Sequence, residues 1–359
     1  MYISTLLLIL LIGAITTFLT NTRESARLVS TITSFIALGI SIIMFLNYDP
    51  SLGFNFEENY AWIPSIGISY HVGVDGIGLP MVLLTTLVSA FCSIYAWEEK
   101  KRANQFFGLL LLMDFSLCGV FVSLDFFLFY IFWELVLIPM FFLIGVWGGP
   151  RKDYSAMKFL IYTHVASVMM LLGIFGIFYF HGQTTGVYTF DMPVLLKWFS
   201  SPVGIPSFWI NFIFAALLFG FLVKMPAVPF HTWLPDAHVE APTIGSILLA
   251  GVLLKMGGYG LFRVLIPIVP NVSIYFMYVI AVLGVLSIWY SAIAALAQRD
   301  LKRLVAFSSI GHMGFISLGV AASIAAGMEI PRIFAQSGAM FQMFSHGIIT
   351  SVLFGSCGV

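Results

Sequence analysis

The sequence predicts an all-α multi-pass membrane protein, and three observations carry that expectation. Of 359 residues, 60% are hydrophobic and 9% charged, with mean hydropathy +1.02, far from the roughly 25% charge of a soluble domain. Apolar runs recur along nearly the whole chain; at about 20 residues per span they suffice for on the order of eleven or twelve transmembrane helices. The runs are also too long for a membrane β-barrel, whose strands would be about 10 residues of alternating polarity.

Helices are expected at 3–20, 28–46, 74–97, 104–121, 125–147 and 157–180, then a broken helix over 208–242, then helices at 244–266, 273–298, 301–324 and 332–357. The first apolar run lacks a basic segment before it and has Arg23 and Arg27 on its far side. It reads as a retained helix with its N-terminus outside, not a cleaved signal. The inner loops then carry Arg23, Arg27, Lys100, Lys101, Arg102, Arg151, Lys152, Lys158, Arg299, Lys302 and Arg303, eleven of the sixteen basic residues. Lys197, Arg263 and Arg332 fall outside, so the positive-inside rule supports this topology.

That topology requires 208–242 to cross once, although about 35 residues exceed one straight span. Pro226, Pro229, Pro235 and Pro242 account for the excess, since proline removes a backbone donor and clashes with the preceding turn. Two half-helices joined by an unwound Pro229–Pro235 are expected. Unwound backbone at membrane depth marks ion-handling sites. The polar stretches 47–73 and 181–207 read as loops.

Cys92, Cys118 and Cys357 form no CxxC, zinc or iron-sulfur pattern, so no cofactor or metal is expected in this chain. Lys plus Arg equals Asp plus Glu at 16 each, and no nucleic-acid partner is expected. HExxH, G-x-S-x-G and Walker motifs are absent.

Function is expected where charge lies inside these apolar spans. A charged group at a membrane helix centre costs roughly 2.5–3.5 kcal/mol even on the lenient insertion scale. Glu134 lies about nine residues into its helix, near the midplane, and ion handling competes there with a merely structural carboxylate. Lys255 is about eleven residues deep, too far from either end to snorkel comfortably. Lys224 precedes the helix break, so a side chain reaching towards the inner face is the alternative to a functional one. A carboxylate near a lysine favours its charged form, so Glu134 and Lys224 would make a coupled switch. His312, His346 and His231, with His238 seven residues after the last, are candidate proton relays or satisfied buried groups. Asp114 is a secondary membrane carboxylate, and the 36 Phe read as packing and lipid-facing surface.

These residues resemble a family. Val74-Asp-Gly-Ile-Gly-Leu-Pro, Phe132-Trp-Glu-Leu-Val-Leu-Ile-Pro-Met through Trp147-Gly-Gly-Pro, and Val223-Lys-Met-Pro-Ala-Val-Pro-Phe-His-Thr-Trp-Leu-Pro-Asp-Ala-His are similar to the antiporter-like membrane subunits of respiratory complex I. Ala250-Gly-Val-Leu-Leu-Lys and Asp300-Leu-Lys-Arg-Leu-Val-Ala-Phe-Ser-Ser-Ile-Gly-His-Met-Gly extend the resemblance, which is to the M-subunit (mitochondrial subunit 4) branch and related F420H2-dehydrogenase-type complexes. It implies inverted five-helix repeats: N-terminal helices over 1–103, a first repeat over 104–267 and an incomplete second over 268–359. By motif match, Glu134, Lys224 and Lys255 take the family's essential glutamate and lysine positions. His312 and His346 match the polar axis, and Asp114 a secondary carboxylate. Three C-terminal helices of the family's fourteen, with its exit residue, are expected to be missing from this chain.

The resemblance implies a non-redox, proton-translocating subunit of a complex-I-type NADH:quinone oxidoreductase or related redox pump. It implies partners in the lipid bilayer, especially neighbouring antiporter-like subunits, with flavin, iron-sulfur clusters and quinone held by other subunits. The membrane would be a prokaryotic cytoplasmic membrane or an organellar inner membrane. Rival readings are an Mrp-type sodium/proton antiporter subunit and a purely structural membrane spacer.

Overall fold

A computed structural model describes residues 1–268, 275–326 and 328–358. The expected start of one helix at 273, and residue 359, lie outside the described residues. Among the described residues, nine helical segments are long and apolar enough to cross a membrane. The protein is an integral, multi-pass, mainly helical membrane protein.

The chain opens with α1 (Tyr2–Phe18), α2 (Arg23–Leu46), α3 (Gly78–Tyr95) and α4 (Ala103–Val122), which pack together. The crossing that holds Glu134 consists of α5 (Phe126–Leu135) and α6 (Leu137–Trp147). Asp125 caps α5 by accepting from the Phe127 and Leu128 amides at 2.8 and 3.1 Å, a side-chain replacement for the missing intrahelical acceptors. Pro139 has no amide to offer the Leu135 carbonyl four residues back, and the helix slips at Val136, two residues past Glu134.

Next come α7 (Lys152–Thr185), the short α8 (Met192–Phe199) and α9 (Ser207–Lys224). Helix α9 ends where the prolines begin, and α10 (Trp233–Glu240) resumes after a non-helical stretch. The break therefore spans 225–232, earlier than the expected Pro229–Pro235. Pro235 sits in the first turn of α10, where a missing amide costs no helical bond. Backbone left over at the break is satisfied locally: the Trp233 indole donates to the Val223 carbonyl at 3.0 Å, and the Val228 amide to Ser287 Oγ at 2.9 Å.

The next helix, α11 (Thr243–Ile268), is buried along its whole apolar length between α3, α9 and the C-terminal helices, as its all-round hydrophobicity requires. Two π turns interrupt it, Leu249–Leu253 and Leu261–Leu265. The chain finishes with α12 (Tyr275–Leu296), α13 (Leu301–Ala325) and α14 (Glu329–Cys357), packed side by side.

The expected loop at 47–73 is largely a β-hairpin, β1 (Asn55–Ile63) and β2 (Ile68–Val74), antiparallel with Asn55 opposite Val74 and Ile63 opposite Ile68. This adds a small sheet to an otherwise helical expectation. Its helical neighbour α8 occupies the other polar stretch read as loop. His71 joins them: Nδ1 lies 2.7 Å from Asp191 Oδ2, at the start of α8, and Nε2 2.8 Å from Glu57 Oε1. Burial works against the imidazolium, but these hydrogen bonds and charges prevail and hold the His71 pKa above its ordinary value.

At the opposite end, Lys158 Nζ meets Asp236 Oδ2 at 2.6 Å, Arg151 Nε lies 3.6 Å from Glu240 Oε1, and Lys302 Nζ donates to the Ala241 carbonyl at 3.0 Å. The basic residues assigned to the inner loops thus clamp α10 onto α7 and α13.

Candidate functional site

Lys255 stands midway along α11, fully buried. Its Nζ donates to the Ala250 carbonyl, within the π turn, and lies 2.8 Å from His346 Nδ1 on α14. A π turn shifts the carbonyl register, a local irregularity often found at functional sites. The remaining His346 nitrogen, Nε2, is buried with no hydrogen-bond partner. The His312 ring on α13 follows at 5.0 Å between centroids, and its Nδ1 lies 2.9 Å from Gln342 Nε2. Lys255, His346, His312 and Gln342 therefore run from α11 into the C-terminal helices.

Lys224 is buried at the end of α9, its Nζ without a hydrogen-bond partner. It lies 5.6 Å from the Trp133 ring centre and 6.0 Å from that of Phe159, an aromatic cage that attracts a cation through the ring quadrupole. Helices α9 and α11 approach closely because Gly257 has no side chain: a Cβ there would fall 2.6 Å from the Phe221 carbonyl oxygen and 2.7 Å from Met225.

Glu134 and Lys224, expected to act as a coupled switch, make no direct hydrogen bond or ion pair with each other among the described residues. The carboxylate binds α7, accepting from Ser167 Oγ and lying 2.8 Å from His164 Nδ1. Lys224 lies instead against the ring of Trp133, the residue before Glu134. His164 is half exposed on the outer surface of the bundle, and with Tyr130, Ile138, Leu160 and Glu134 it lines a recess of about 530 Å³.

Other candidates fall elsewhere. Asp114 is fully buried, accepting from Ser89 Oγ on α3, with its second oxygen unpartnered and no partner in common with Glu134. His231 lies in the break, edge-on to Tyr290 at 4.9 Å. His238 stacks on Phe354 at 4.4 Å with both ring nitrogens unpartnered. Sequence reasoning missed His164, Ser167 and Gln342; the i, i+3 spacing of His164 and Ser167 inside an apolar helix was the available signal.

Residues 123–359 match the family described as NADH:quinone oxidoreductase/Mrp antiporter, transmembrane. The F420H2 dehydrogenase subunit M of Methanosarcina mazei is 47% identical over 359 residues, 99% of this chain and 70% of that protein. The chain belongs to this family. The NADH-quinone oxidoreductase subunit M of Rickettsia conorii is 42% identical over 90% of this chain, which spans 62% of that protein. A chain in the structure of respiratory complex I from Thermus thermophilus with bound NADH superposes with a TM-score of 0.87 at 26% identity, covering 100% of this chain and 71% of that one. Glu134, Lys224, Lys255, His231, His312 and His346 all lie inside the part matched to the NADH:quinone oxidoreductase/Mrp antiporter family, whereas Asp114 precedes it.

Proposed function

We propose that the chain is a proton-translocating membrane subunit of a redox-driven, complex-I-type assembly and carries no electron itself. The observation that carries this reading is the buried contact of Lys255 with His346, continued by His312. These groups can accept and donate protons at membrane depth, where an uncompensated charge is costly. Subunit M relatives in an F420H2 dehydrogenase and an NADH-quinone oxidoreductase favour the redox assembly over an Mrp-type antiporter.

In this reading Glu134 supplies the switchable part of the electric field at Lys224, across the Trp133 and Phe159 rings. A change at Glu134, transmitted from a neighbouring subunit seated over the His164 recess, alters whether Lys224 keeps its proton. The proton then passes through water to Lys255, on to His346 and His312. Residues 104–267 form the first repeat and 268–359 belong to a second. Eleven crossings result when α1 and α14 join the nine long segments and the interrupted α9–α10 counts once, and the basic end of the bundle faces inward with the N-terminus outside. Flavin, iron-sulfur clusters and quinone belong to partner subunits.

The test is proton translocation by the assembled complex carrying Glu134→Ala. Impaired pumping in a complex of normal composition supports the reading. Full pumping driven by electron transfer would sink it, and transport that needs a sodium gradient but no electron donor would favour the antiporter reading.

A further inference from the structure

If Lys255 carries a proton, as proposed above, the hairpin end of its helix must not let that proton escape. Lys255, Tyr259 and Arg263 recur every four residues on α11, hence on one face, rising about 6 Å per step towards the hairpin. Taken alone, that line of polar groups would be a short circuit from Lys255 to the surface, because Arg263 borders an outward recess of about 300 Å³ shared with Phe54, Leu196 and Lys197.

The bonding along it is one-directional. Tyr259 is fully buried; its hydroxyl donates to the Phe121 carbonyl at 3.2 Å and accepts from Arg263 Nε at 3.0 Å. Arg263 in turn gives Nη1 and Nη2 to Asp75 Oδ2 and Oδ1 at 2.9 and 2.5 Å. The Asp75 carboxylate is held by the Ile77 and Gly78 amides at 3.0 Å each. Packing leaves little slack: a Cβ at Gly78 would lie 2.8 Å from the Phe121 carbonyl oxygen. A proton wire needs groups that both accept and donate. A guanidinium only donates, and it does not lose its proton in proteins.

We propose that Tyr259, Arg263 and Asp75 form a proton seal, closing this half of the protein towards the hairpin face so that a proton on Lys255 leaves only sideways, to His346. Arg263 acts as a break in the wire, comparable in principle to an arginine that excludes protons from a pore. Asp75 and Tyr259 hold it in place.

The experiment uses the whole assembled complex in sealed liposomes, with a pH gradient imposed and no electron donor, so that passive leak is read separately from pumping. Arg263→His replaces a pure donor by a group that relays protons; the seal predicts a leak several-fold faster than wild type, suppressed again by adding Lys255→Ala. A wild-type leak from an assembled Arg263→His complex overturns the proposal, as does a leak indifferent to Lys255→Ala. Asp75→Asn, equal in size but unable to hold the guanidinium as a salt bridge, gives a second variant with the same expectation should Arg263→His fail to assemble. Failure of the seal leaves the pumping result for Glu134→Ala untouched, so the two readings fall separately.

Discussion

Lys255 Nζ and His346 Nδ1 lie 2.8 Å apart, joining residues 91 positions apart in the chain. The pair brings the buried α11 against α14, and Lys255 divides its ammonium between the Ala250 carbonyl and this imidazole. Such a pair acts as a unit, so its substitutions should not add. Lys255→Ala and His346→Ala combined are expected to impair pumping hardly more than either alone, and a double-mutant cycle on stability should show coupling of about 0.5–3 kcal/mol. Strict additivity in both readouts would mean that the contact carries nothing.

Lys255 should also illustrate the conflict between function and stability. A lone buried ammonium is costly to desolvate, and Lys255→Met removes that cost together with the His346 contact, so the two effects offset. Lys255→Met is therefore expected to leave the thermal transition of the assembled complex unchanged or raised while pumping is lost. A marked drop in thermal stability would assign Lys255 a structural role instead.

His164 is the test of what orders Glu134. Its imidazole and the Ser167 hydroxyl are the carboxylate's two side-chain partners on α7. His164→Ala should lower pumping, but less than Glu134→Ala, and His164→Gln, which keeps a hydrogen-bonding side chain, should recover part of the loss. Pumping at the wild-type rate in His164→Ala would leave Ser167 as the sufficient partner.

The close approach of α9 and α11 rests on Gly257. A methyl group there meets the Phe221 carbonyl and Met225 at under-contact distance, and overpacking of this kind typically costs about 1–3 kcal/mol. Gly257→Ala should lower the thermal transition and separate the lysine-bearing helices, which reduced pumping in the surviving complex would register.

At the hairpin, His71 provides a pH dependence whose sign is fixed by its partners. Its pKa is raised in the folded protein, against burial, by Asp191 and Glu57. The stabilisation is thus fully present below the ordinary histidine value of 6.5 and is lost as pH rises through the elevated folded value. Amide hydrogen exchange across Asn55–Val74, corrected for the intrinsic pH effect, should quicken over that interval, and His71→Gln should remove the dependence.

Much of this was legible in the sequence because a lipid-spanning helix advertises itself locally: among the described residues the apolar runs located the long helices to within about five residues at each end, and four prolines announced the break after Lys224. What local pattern could not supply was which helices touch. Glu134 bonds His164 and Ser167 on α7, while Lys224 lies against the Trp133 ring, a matter of side-chain packing. Arg263 counted only as one outer cation until its partner Asp75 appeared 188 residues away. The π turns around Lys255 leave no mark in an apolar sequence, and β1–β2 was hidden because its short strands, with polar residues and glycines, look like a loop.

The central claim is that a proton crosses this subunit through Lys255. The measurement that tests it most directly is the number of protons translocated per electron pair by the assembled complex carrying Lys255→Met, with subunit composition verified. The account predicts a ratio below wild type or electron transfer slowed together with pumping. A wild-type ratio at a wild-type electron-transfer rate would contradict it.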